Sequence, residues 1–434
     1  MTIFQPIDRD LREGVADTLT VGIVGLGYVG LPTALAFFRS EIRVVGLDVS
    51  EERLRTIRVG QPDLLPSDHD RLRDARESDT FVLTSDPRDL ASCDLVIVCV
   101  PTPIDEFEVP DLRALRGACE SLVKIARPGQ SIVLTSTSYV GSTRDLLVAP
   151  LEKRGFTPGQ DIFVAFSPER IDPANTKFGQ EDVPRVIGGT TLACTAKISG
   201  YLSLICGGMH EVSSIEAAEM TKLLENTFRA VNISLANEFA EAANVLGIDP
   251  IEVVQAAATK PFGFMPFYPG PGVGGHCIPC DPHYLLWQLR KVQMHPSVTT
   301  AAMQGISTRP ARIVERAAEV LAARGKSISG AKVLLAGVAY KPDVADVRES
   351  PALRIIEGLV HRGADVAIYD THVEGLELEG EYYITEREIP HPESYDLVLV
   401  ACLHSTMDER VFTKAQLVLD ATYQLPAAPN RLVP

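Results

Sequence analysis

Residues 268–282 read YPGPGVGGHCIPCDP and have the clearest chemical potential in the chain. They bring His276, Cys277 and Asp281 close together, which offers a thiol nucleophile beside a base and an acid. Proline lacks an N–H donor and glycine is entropically costly in helices and strands, so we predict a shaped loop throughout. Its glycines let the backbone approach a ligand closely. The alternative is a tight surface connection whose cysteine packs as a small hydrophobe.

A glycine-rich turn lies between the apolar run 19–24 and the helical stretch 31–38. In a dinucleotide fold such glycines permit the turn, leave room for the pyrophosphate and let helix pack on strand. Asp48 ends the strand 43–47, where a carboxylate binds the adenosine ribose and favours NAD over NADP, although Arg53 keeps that choice open. The alternative is a structural glycine turn. The predicted cofactor residues here are Gly25, Gly27, Tyr28, Val29, Gly30, Asp48 and Arg53.

Polar residues follow three further predicted strands of the same αβ alternation. The strands 95–100 and 131–134 run into loops that carry Thr102, Ser136 and Thr137. Ligands of open parallel sheets lie beyond the carboxyl ends of the strands, so these residues are predicted cofactor neighbours or, alternatively, satisfied turn residues. Glu169 follows the strand 162–166 and is a candidate acid or base, or a charge at the start of a helix.

A long helix is predicted from Ser213, because Ser213 to Glu216 form a capping box and no glycine or proline follows before Gly247. About 30 residues are too many for a single crossover helix, so we expect it to span two domains and to offer an apolar face to a second subunit. Lys222 and Asn226 share one of its faces and could reach a common substrate, unless the lysine is merely solvated. Another helix, capped by Asp249, precedes the cysteine segment.

A second alternating region occupies the C-terminal part of the chain. It lacks a GxGxxG turn, so we expect Lys341 and Arg348 to bind the phosphates of a nucleotide-like ligand rather than a second dinucleotide. The predicted fold is α/β, with two Rossmann-like doubly wound sheets joined by a long central helix and a helical middle domain. The predicted domains are 1–212 for NAD, 213–320 for the central helices and the cysteine segment, and 321–434 for the nucleotide sugar.

Composition excludes several functional classes. The chain has 434 residues, of which 45% are hydrophobic and 23% charged, as in ordinary globular proteins. Its formal net charge of -16 argues against a nucleic-acid partner. No segment resembles a targeting peptide or a membrane span, and the 8 cysteines form no disulfide framework, so we expect a cytoplasmic protein.

Ordered motifs recur over most of the chain. They are the glycine turn, Ser136-Thr137, Ser167-Pro168-Glu169-Arg170, Lys222-Leu223-Leu224-Glu225-Asn226, Gly274-Gly275-His276-Cys277, Lys341-Pro342 and Asp346-Val347-Arg348-Glu349-Ser350. Together these motifs resemble those of the UDP-glucose/GDP-mannose dehydrogenase family. By implication, such enzymes use NAD to oxidise C6 of a nucleotide-linked hexose from alcohol to carboxylate, and a long helix between two Rossmann-like domains forms their homodimer.

The resemblance also implies roles for single residues. Cys277 becomes the nucleophile, with Lys222 and Asp281 as its polar and acid/base partners. A thiolate that adds to the aldehyde gives a thiohemiacetal, which loses a second hydride to form a thioester that water hydrolyses. Asn226 and Glu169 become supporting groups. The remaining predicted ligands are Tyr268, Gly272, Gly274 and Lys341 for the nucleotide sugar and Arg348 for the cofactor.

The sugar is less strongly specified. Residues 259–268 resemble the branch that acts on UDP-N-acetylhexosamines, because they lack the arginine that other branches place near Phe262. This favours UDP-N-acetylglucosamine and leaves UDP-glucose and dTDP-hexoses open. Ser307, Arg309 and Cys280 depart from the residues usual in the family, which puts local packing and redox behaviour in question.

Other classes remain as alternatives. A two-electron hydroxyacid dehydrogenase needs no cysteine, and a non-catalytic NAD-binding regulator needs neither Cys277 nor Lys222. A metal centre at Cys277, Cys280 and their neighbouring histidines His276 and His283 is disfavoured by its crowded spacing, so no metal is predicted. We also hypothesise that Cys277 and Cys280 form a reversible disulfide, against the alternative that Cys280 packs in the core.

Overall fold

The computed structural model describes residues 19–62, 66–170, 182–275, 277–389 and 391–434. The chain forms two compact units: the first runs to Leu224 and includes His283–Gln288, and the second comprises Glu225–Pro282 and Leu289–Pro434. The boundaries of the three predicted domains are not tested by this division and stay a prediction. Among the described helices, none combines the length and apolar character needed to span a bilayer.

The first unit contains an eight-stranded sheet of order β3-β2-β1-β4-β5-β6-β7-β8. Neighbouring strands run parallel except β6 and β7, which are antiparallel. The strand order reverses between β1 and β4. In open α/β sheets, ligands bind beyond the carboxyl ends of the two strands at such a reversal. The strands are β1 Thr20–Val24, β2 Arg43–Leu47, β3 Phe81–Thr84, β4 Leu95–Val98, β5 Ser131–Leu134, β6 Phe163–Phe166, β7 Arg185–Gly189 and β8 Met209–Glu211.

Helices cover both faces of this sheet, because its central strands are apolar on both sides. In β4, Leu95 and Ile97 belong to one buried cluster, while Val96 and Val98 belong to another. The predicted αβ alternation is confirmed. The helices of this part of the chain are α1 Gly30–Arg39, α2 Glu51–Val59, α3 Pro66–Arg76, α4 Arg113–Ile125, α5 Ala149–Lys153 and α6 Leu192–Leu202, with a 3₁₀ turn at Pro87–Ser92 and a π turn at Arg144–Val148.

The predicted long helix is present as α7, Ile215–Val245, with 31 residues. Its cap differs from the prediction: the Ser214 hydroxyl, not that of Ser213, accepts the Ala217 N–H at 3.1 Å. Gly247, at φ +71°, lets the chain turn after the helix. The next helix, α8, spans Pro250–Ala258 and is capped by Asp249 as predicted.

The prediction of a loop throughout residues 268–282 is wrong for its C-terminal part, because helix α9 begins at Cys277 and continues to Arg290. Pro279 is the third helical residue, where an N–H would have no partner within the helix, so it is tolerated. Pro282 lies inside the helix and removes one backbone hydrogen bond. Cys277 therefore lies at the start of a helix. The two units divide within α7, after Leu224, and within α9, after Pro282.

The second unit contains a parallel five-stranded sheet of order β10-β9-β13-β14-β15. Alternate residues of its central strands also belong to two buried clusters, one on each face. Two Rossmann-like sheets and a helical middle region thus confirm the predicted fold class. The strands are β9 Lys332–Ala336, β10 Asp365–Tyr369, β13 Leu397–Val400, β14 Val418–Asp420 and β15 Arg431–Leu432, with a hairpin β11 Gly375–Leu378 and β12 Glu381–Ile384, helices α10 Ser297–Ala322 and α11 Pro351–His361, and 3₁₀ turns Pro392–Ser394 and Glu409–Lys414.

Candidate active site

The glycine turn between β1 and α1 has the shape that a dinucleotide requires. Gly25 adopts φ +87°, and its N–H donates to the Leu47 carbonyl at 2.8 Å. A Cβ on Gly30 would lie 1.8 Å from the Gly25 carbonyl oxygen, so helix and turn can approach this closely only with glycine. A Cβ on Gly27 would meet nothing within 4 Å, which leaves open space where a pyrophosphate would lie. The half-buried Tyr28 and Val29 lie between them.

Asp48 and Arg53 both contact this turn. One carboxylate oxygen of Asp48 accepts the Leu26 N–H at 2.8 Å, and the other accepts the Ser50 N–H at 2.9 Å. Arg53 donates from Nε to the Leu26 carbonyl at 2.8 Å. The turn, the acid and the arginine therefore form one cluster at the end of β2, and these residues fit an NAD.

The polar residues after β4 and β5 differ in burial. Thr102 and Thr137 are half-buried. Ser136 is buried, and its hydroxyl donates to the Val100 carbonyl at 2.8 Å, so it ties the two strand-end loops together. This contact supports the alternative interpretation of Ser136 as a satisfied turn residue.

Glu169 and Lys222 come together in the first unit. The Lys222 ammonium donates to the backbone carbonyl of Glu169 at 2.8 Å. The buried Glu169 carboxylate accepts the Arg170 N–H at 2.8 Å and pairs with the guanidinium of Arg185, which is only 2% exposed. Sequence reasoning missed Arg185. Its position as the first residue of β7, directly before Val186 and Ile187, is the signal that could have found it.

In the second unit, Cys277 is exposed in the first turn of α9, whereas Asp281, one turn later, is 4% exposed. The side-chain amide of Asn226 donates to the Asp281 carboxylate. Asn226 is itself 4% exposed, so the amide holds a buried acid on the same helical face as the thiol. His276 lies outside the described residues.

The segment before Cys277 is fixed at both ends within the second unit. The N–H of Gly270 donates to the Asn237 side chain at 2.9 Å, and its carbonyl accepts from Nε of Arg309 at 3.0 Å. Arg309 is 1% exposed and also contacts Glu241 and Tyr423. At the other end, the Gly275 N–H donates to a backbone carbonyl 3.1 Å away, that of Arg348.

The predicted sugar-nucleotide residues of this segment differ in exposure and backbone shape. Tyr268 is 49% exposed. Gly272 has φ +147°, and a Cβ there would lie 2.8 Å from Pro351. A Cβ on Gly274 would lie 2.6 Å from the Tyr340 side chain and 2.8 Å from the Glu349 carbonyl oxygen. The close passage of the glycines thus serves contacts within the protein as well as any contact with a ligand.

Lys341 and Arg348 both belong to the segment between β9 and α11. Lys341 is half-buried. Arg348 is exposed and forms a bidentate ion pair with the Asp346 carboxylate, with an Nη2–Oδ2 distance of 2.6 Å. A guanidinium held in this way has a fixed orientation, which suits recognition of phosphate oxygens.

Sequence reasoning also missed that the second sheet repeats the hydrogen bonds of the first. Gly337, at φ +83°, donates to the Tyr369 carbonyl at 2.8 Å, as Gly25 does to Leu47. The Val338 N–H then donates to the Asp370 carboxylate at 2.8 Å, as Leu26 does to Asp48. Asp370 occurs directly after a strand, as Asp48 does, and this was the signal available in the sequence.

Asp370 is nevertheless inaccessible to a ligand. It is fully buried, and its Oδ2 lies 3.1 Å from Nε2 of His404, which is itself buried. Burial alone would raise the pKa of Asp370, but hydrogen bonds from His404 and from three backbone N–H groups lower it to about 2. The acid that would contact a ribose in the first sheet is a structural group in the second.

Asp343, His372 and His404 form a possible metal-ligand group among the described residues, with ligand atoms within 4.8 Å of one another. Nδ1 of His404 accepts the Asp343 N–H at 2.9 Å, and its Nε2 faces Asp370. The Asp343 carboxylate accepts from both the backbone and the hydroxyl of Ser405. These hydrogen bonds occupy both ring nitrogens of His404 and one carboxylate oxygen of Asp343, so we interpret the group as structural.

Three successive ranges of the chain match three domains of one protein family. Residues 19–202 match the NAD binding domain of the UDP-glucose/GDP-mannose dehydrogenase family, residues 216–305 match its central domain, and residues 334–426 match its UDP binding domain. A UDP-N-acetyl-D-glucosamine 6-dehydrogenase of Pseudomonas aeruginosa is 37% identical over 390 residues, which cover 89% of this chain and 91% of the relative. The chain belongs to the UDP-glucose/GDP-mannose dehydrogenase family.

Other members of the UDP-glucose/GDP-mannose dehydrogenase family are similar as well. A UDP-N-acetyl-D-mannosamine dehydrogenase of Yersinia pestis is 34% identical over 348 residues, which cover 77% of this chain and 81% of the relative. The solved structure of a UDP-D-ManNAc dehydrogenase from Pyrococcus horikoshii matches with a TM-score of 0.86 and 29% identity, and the match covers 96% of this chain and 99% of that one.

Membership of this dehydrogenase family confirms the predicted enzyme class, the NAD cofactor and a nucleotide sugar as the substrate class. The protein is an NAD-dependent nucleotide-sugar dehydrogenase. The non-catalytic NAD-binding regulator and the hydroxyacid dehydrogenase are therefore set aside.

Proposed function

We propose that the protein is a UDP-N-acetyl-D-glucosamine 6-dehydrogenase that oxidises the C6 alcohol of its substrate to a carboxylate. The observation that carries the four-electron chemistry is the exposed Cys277 in the first turn of α9, with Asp281 on the same face and oriented by Asn226. A two-electron alcohol oxidation needs no such thiol. A thiol retains an aldehyde that must be oxidised again, because it forms a covalent adduct from which the second hydride can leave.

The cofactor site is formed by residues at the ends of the first strands. NAD, when bound, accepts a hydride in each of the two oxidations. Gly25, Gly27 and Gly30 hold its pyrophosphate at the start of α1, and Asp48 holds the ribose. The other residues proposed to bind the cofactor are Tyr28, Val29, Arg53, Thr102 and Thr137 of the first unit and Arg348 of the second.

Lys222 assists the loss of the C6 hydroxyl proton and stabilises negative charge that develops on the C6 oxygen. Loss of this proton and of the first hydride from C6 gives the aldehyde, and the thiolate of Cys277 then adds to the aldehyde carbon and, with a proton, gives a thiohemiacetal. Loss of the second hydride leaves a thioester, and Asp281 removes a proton from the water that hydrolyses it. The thiol returns to Cys277, and Glu169 and Asn226 support the lysine and the acid.

The nucleotide sugar is bound by the cysteine segment and by the segment after β9. Lys341 supplies a cation for the diphosphate, while Tyr268, Gly272 and Gly274 contact the sugar nucleotide. The choice of N-acetylglucosamine rests on residues 259–268, which lack the arginine of other branches, and on the similarity to the Pseudomonas aeruginosa enzyme. UDP-N-acetyl-D-mannosamine, UDP-glucose and dTDP-glucose are the competing substrates.

The test is the yield of NADH from limiting amounts of each of these four nucleotide sugars. We expect two NADH per UDP-N-acetylglucosamine, a carboxylate product and no free aldehyde. A yield of one NADH per sugar would overturn the thioester mechanism. A higher kcat/KM for UDP-N-acetylmannosamine with the same stoichiometry would overturn only the choice of sugar.

We further propose that the protein forms a homodimer in which α7 packs against a second copy of the chain. Phe228, Leu235 and Phe239 lie on one stripe of this helix and are 45%, 47% and 62% exposed. Such an apolar stripe is typical of a helix that packs against a second copy. Sedimentation should give a dimer for the wild type and a monomer for Phe239→Glu. A dimer of unchanged stability in that variant would exclude this face.

A further inference from the structure

We propose that Cys277 and Cys280 form a peroxide-sensitive dithiol that closes to a disulfide and reversibly protects and silences the enzyme. The inference rests on their placement in one helical turn. Cys277 is the first residue of α9 and is exposed, whereas Cys280 is 4% exposed and faces the interior. An exposed attacking thiol followed by a buried resolving thiol is the arrangement of a CxxC redox pair.

Helix geometry permits the bond. With 1.5 Å of rise per residue and a Cα radius of about 2.3 Å, Cα atoms three residues apart lie about 5 Å from each other. Disulfides accept about 4.4–6.8 Å between Cα atoms. Residues three apart also lie on the same face of a helix, so the two side chains can meet without unwinding the helix. Pro279, between them, keeps this turn in the helical conformation.

The surroundings favour Cys277 as the first thiol to react. Residues in the first turn lie near unpaired N–H groups and the positive end of the helix dipole, which favour a thiolate over a thiol. Four buried cysteines are much less reactive, because burial raises the pKa of Cys93, Cys99, Cys119 and Cys402 to about 12. An oxidant in solution should therefore select Cys277.

The chemistry balances with hydrogen peroxide as the oxidant. The Cys277 thiolate attacks one peroxide oxygen, the O–O bond breaks, and a sulfenic acid and hydroxide result. The Cys280 sulfur then attacks the sulfenic sulfur, an S–S bond forms and water leaves with the proton of the second thiol. Two electrons pass from the two sulfurs to one peroxide. An external dithiol returns them and restores both thiols.

The expected loss of activity on disulfide formation rests on the proposed function, because the bond inactivates the enzyme only if Cys277 is the nucleophile. The protective role follows from competition. Without Cys280 the sulfenic acid persists and reacts with more peroxide to give a sulfinic acid, which dithiothreitol does not reduce. Cys280 would thus convert an irreversible loss into a reversible one.

The experiment treats wild type, Cys280→Val and Cys280→Ser with increasing hydrogen peroxide and then with dithiothreitol. Activity is followed together with the mass of the peptide that contains residues 277 and 280. We expect wild type to lose two hydrogens from this peptide and to recover most of its activity. Both variants should start with ordinary activity, then gain oxygen atoms at Cys277 and recover at least about tenfold less after dithiothreitol.

The mass of this peptide distinguishes the proposed dithiol from the proposed role of Cys277 as the nucleophile. A disulfide that forms while activity persists would overturn Cys277 as the nucleophile but not the dithiol. Equal recovery of wild type and variants, or a wild-type peptide that gains oxygen without losing hydrogens, would overturn the dithiol. If Cys280→Val is poorly folded, Cys280→Ser and the wild-type mass still decide the question.

Discussion

The two Rossmann-like sheets share a backbone frame but differ in the space that they leave for a ligand. In both, a glycine with positive φ directly follows the first strand, and the next N–H donates to an aspartate that directly follows the neighbouring strand. In the first sheet the aspartate is half-buried and an open position comes next at Gly27. In the second, Asp370 is fully buried against His404.

The difference shows that the strand–turn–acid arrangement is a way of building the sheet before it is a way of binding a dinucleotide. The carboxylate satisfies the N–H of a tight turn in either case, since a buried N–H without a partner is costly. Ligand capacity depends on the residues after the turn. These are glycines at an open helix N-terminus in the first sheet, and bulkier residues with a buried histidine in the second.

The largest expected effect concerns chemistry rather than either sheet. Cys277→Ser should keep affinity for NAD and for the nucleotide sugar but lower carboxylate formation by at least about 10³-fold, because a hydroxyl offers far less nucleophile at neutral pH. Calorimetry for the two ligands and NADH yield are the measurements. Turnover within tenfold of wild type would remove the cysteine from the mechanism.

A matched pair of glycine substitutions compares the two turns directly. Gly337→Ala should destabilise the protein by about 3 kcal/mol or more, because φ is +83° and the new Cβ would lie 1.9 Å from the Cys402 carbonyl oxygen. Gly27→Ala meets nothing within 4 Å and should leave stability unchanged while weakening NAD binding at least about tenfold.

Thermal unfolding and NAD titration of both variants are the measurements. A destabilised Gly27→Ala protein, or a Gly337→Ala protein as stable as wild type, would contradict the proposed difference between the turns.

The buried Asp370 should make stability depend on pH. Its pKa falls from 3.8 to about 2 on folding, so in this window the unfolded chain binds more protons and stability rises with pH. About 2 kcal/mol should be present above pH 4 and should disappear as the pH falls towards 2. Urea unfolding of wild type and Asp370→Asn at pH 6 and pH 3 tests this. A gap between the two proteins that does not narrow at the lower pH would contradict it.

The smallest expected effect is at the acid of the first sheet. Asp48→Ala should weaken NAD about tenfold and leave affinity for the nucleotide sugar within about twofold, because the two ligands are assigned to different sheets. The matched Asp370→Ala variant should instead lower stability. Equal loss of both affinities in Asp48→Ala, measured by calorimetry, would refute the assignment.

Much of the fold could be predicted because local signals agree with tertiary ones. Buried strands are continuous apolar runs, and Asp249 with Pro250 marks a helix start by its own chemistry. The helix at Cys277 could not be predicted in the same way. Its composition opposes a helix. Pro279 is tolerated because it falls in the first turn, which depends on where the helix begins, whereas Pro282 removes one backbone hydrogen bond.

The sequence reveals which residues of the candidate site are reactive, but not which other residues they contact. Cys277, Asp281 and Lys222 have reactive side chains that a sequence reveals directly. The contacts of Asn226 with Asp281 and of Arg185 with Glu169 join residues distant in sequence, and no local pattern specifies them. The burial of Asp370 likewise depends on a histidine located after another strand of the sheet, β13.

The anchoring of Gly270 by Asn237 and Arg309 bears on redesign. A cysteine segment taken from an enzyme of another sugar specificity would arrive without the partners that fix it in its own enzyme, and it would meet Asn237 and Arg309 instead. The graft would then lose its shape even if every sugar-contacting residue were correct. Transplanting a specificity into this scaffold therefore requires moving the supporting positions on α7 and α10 together with the loop.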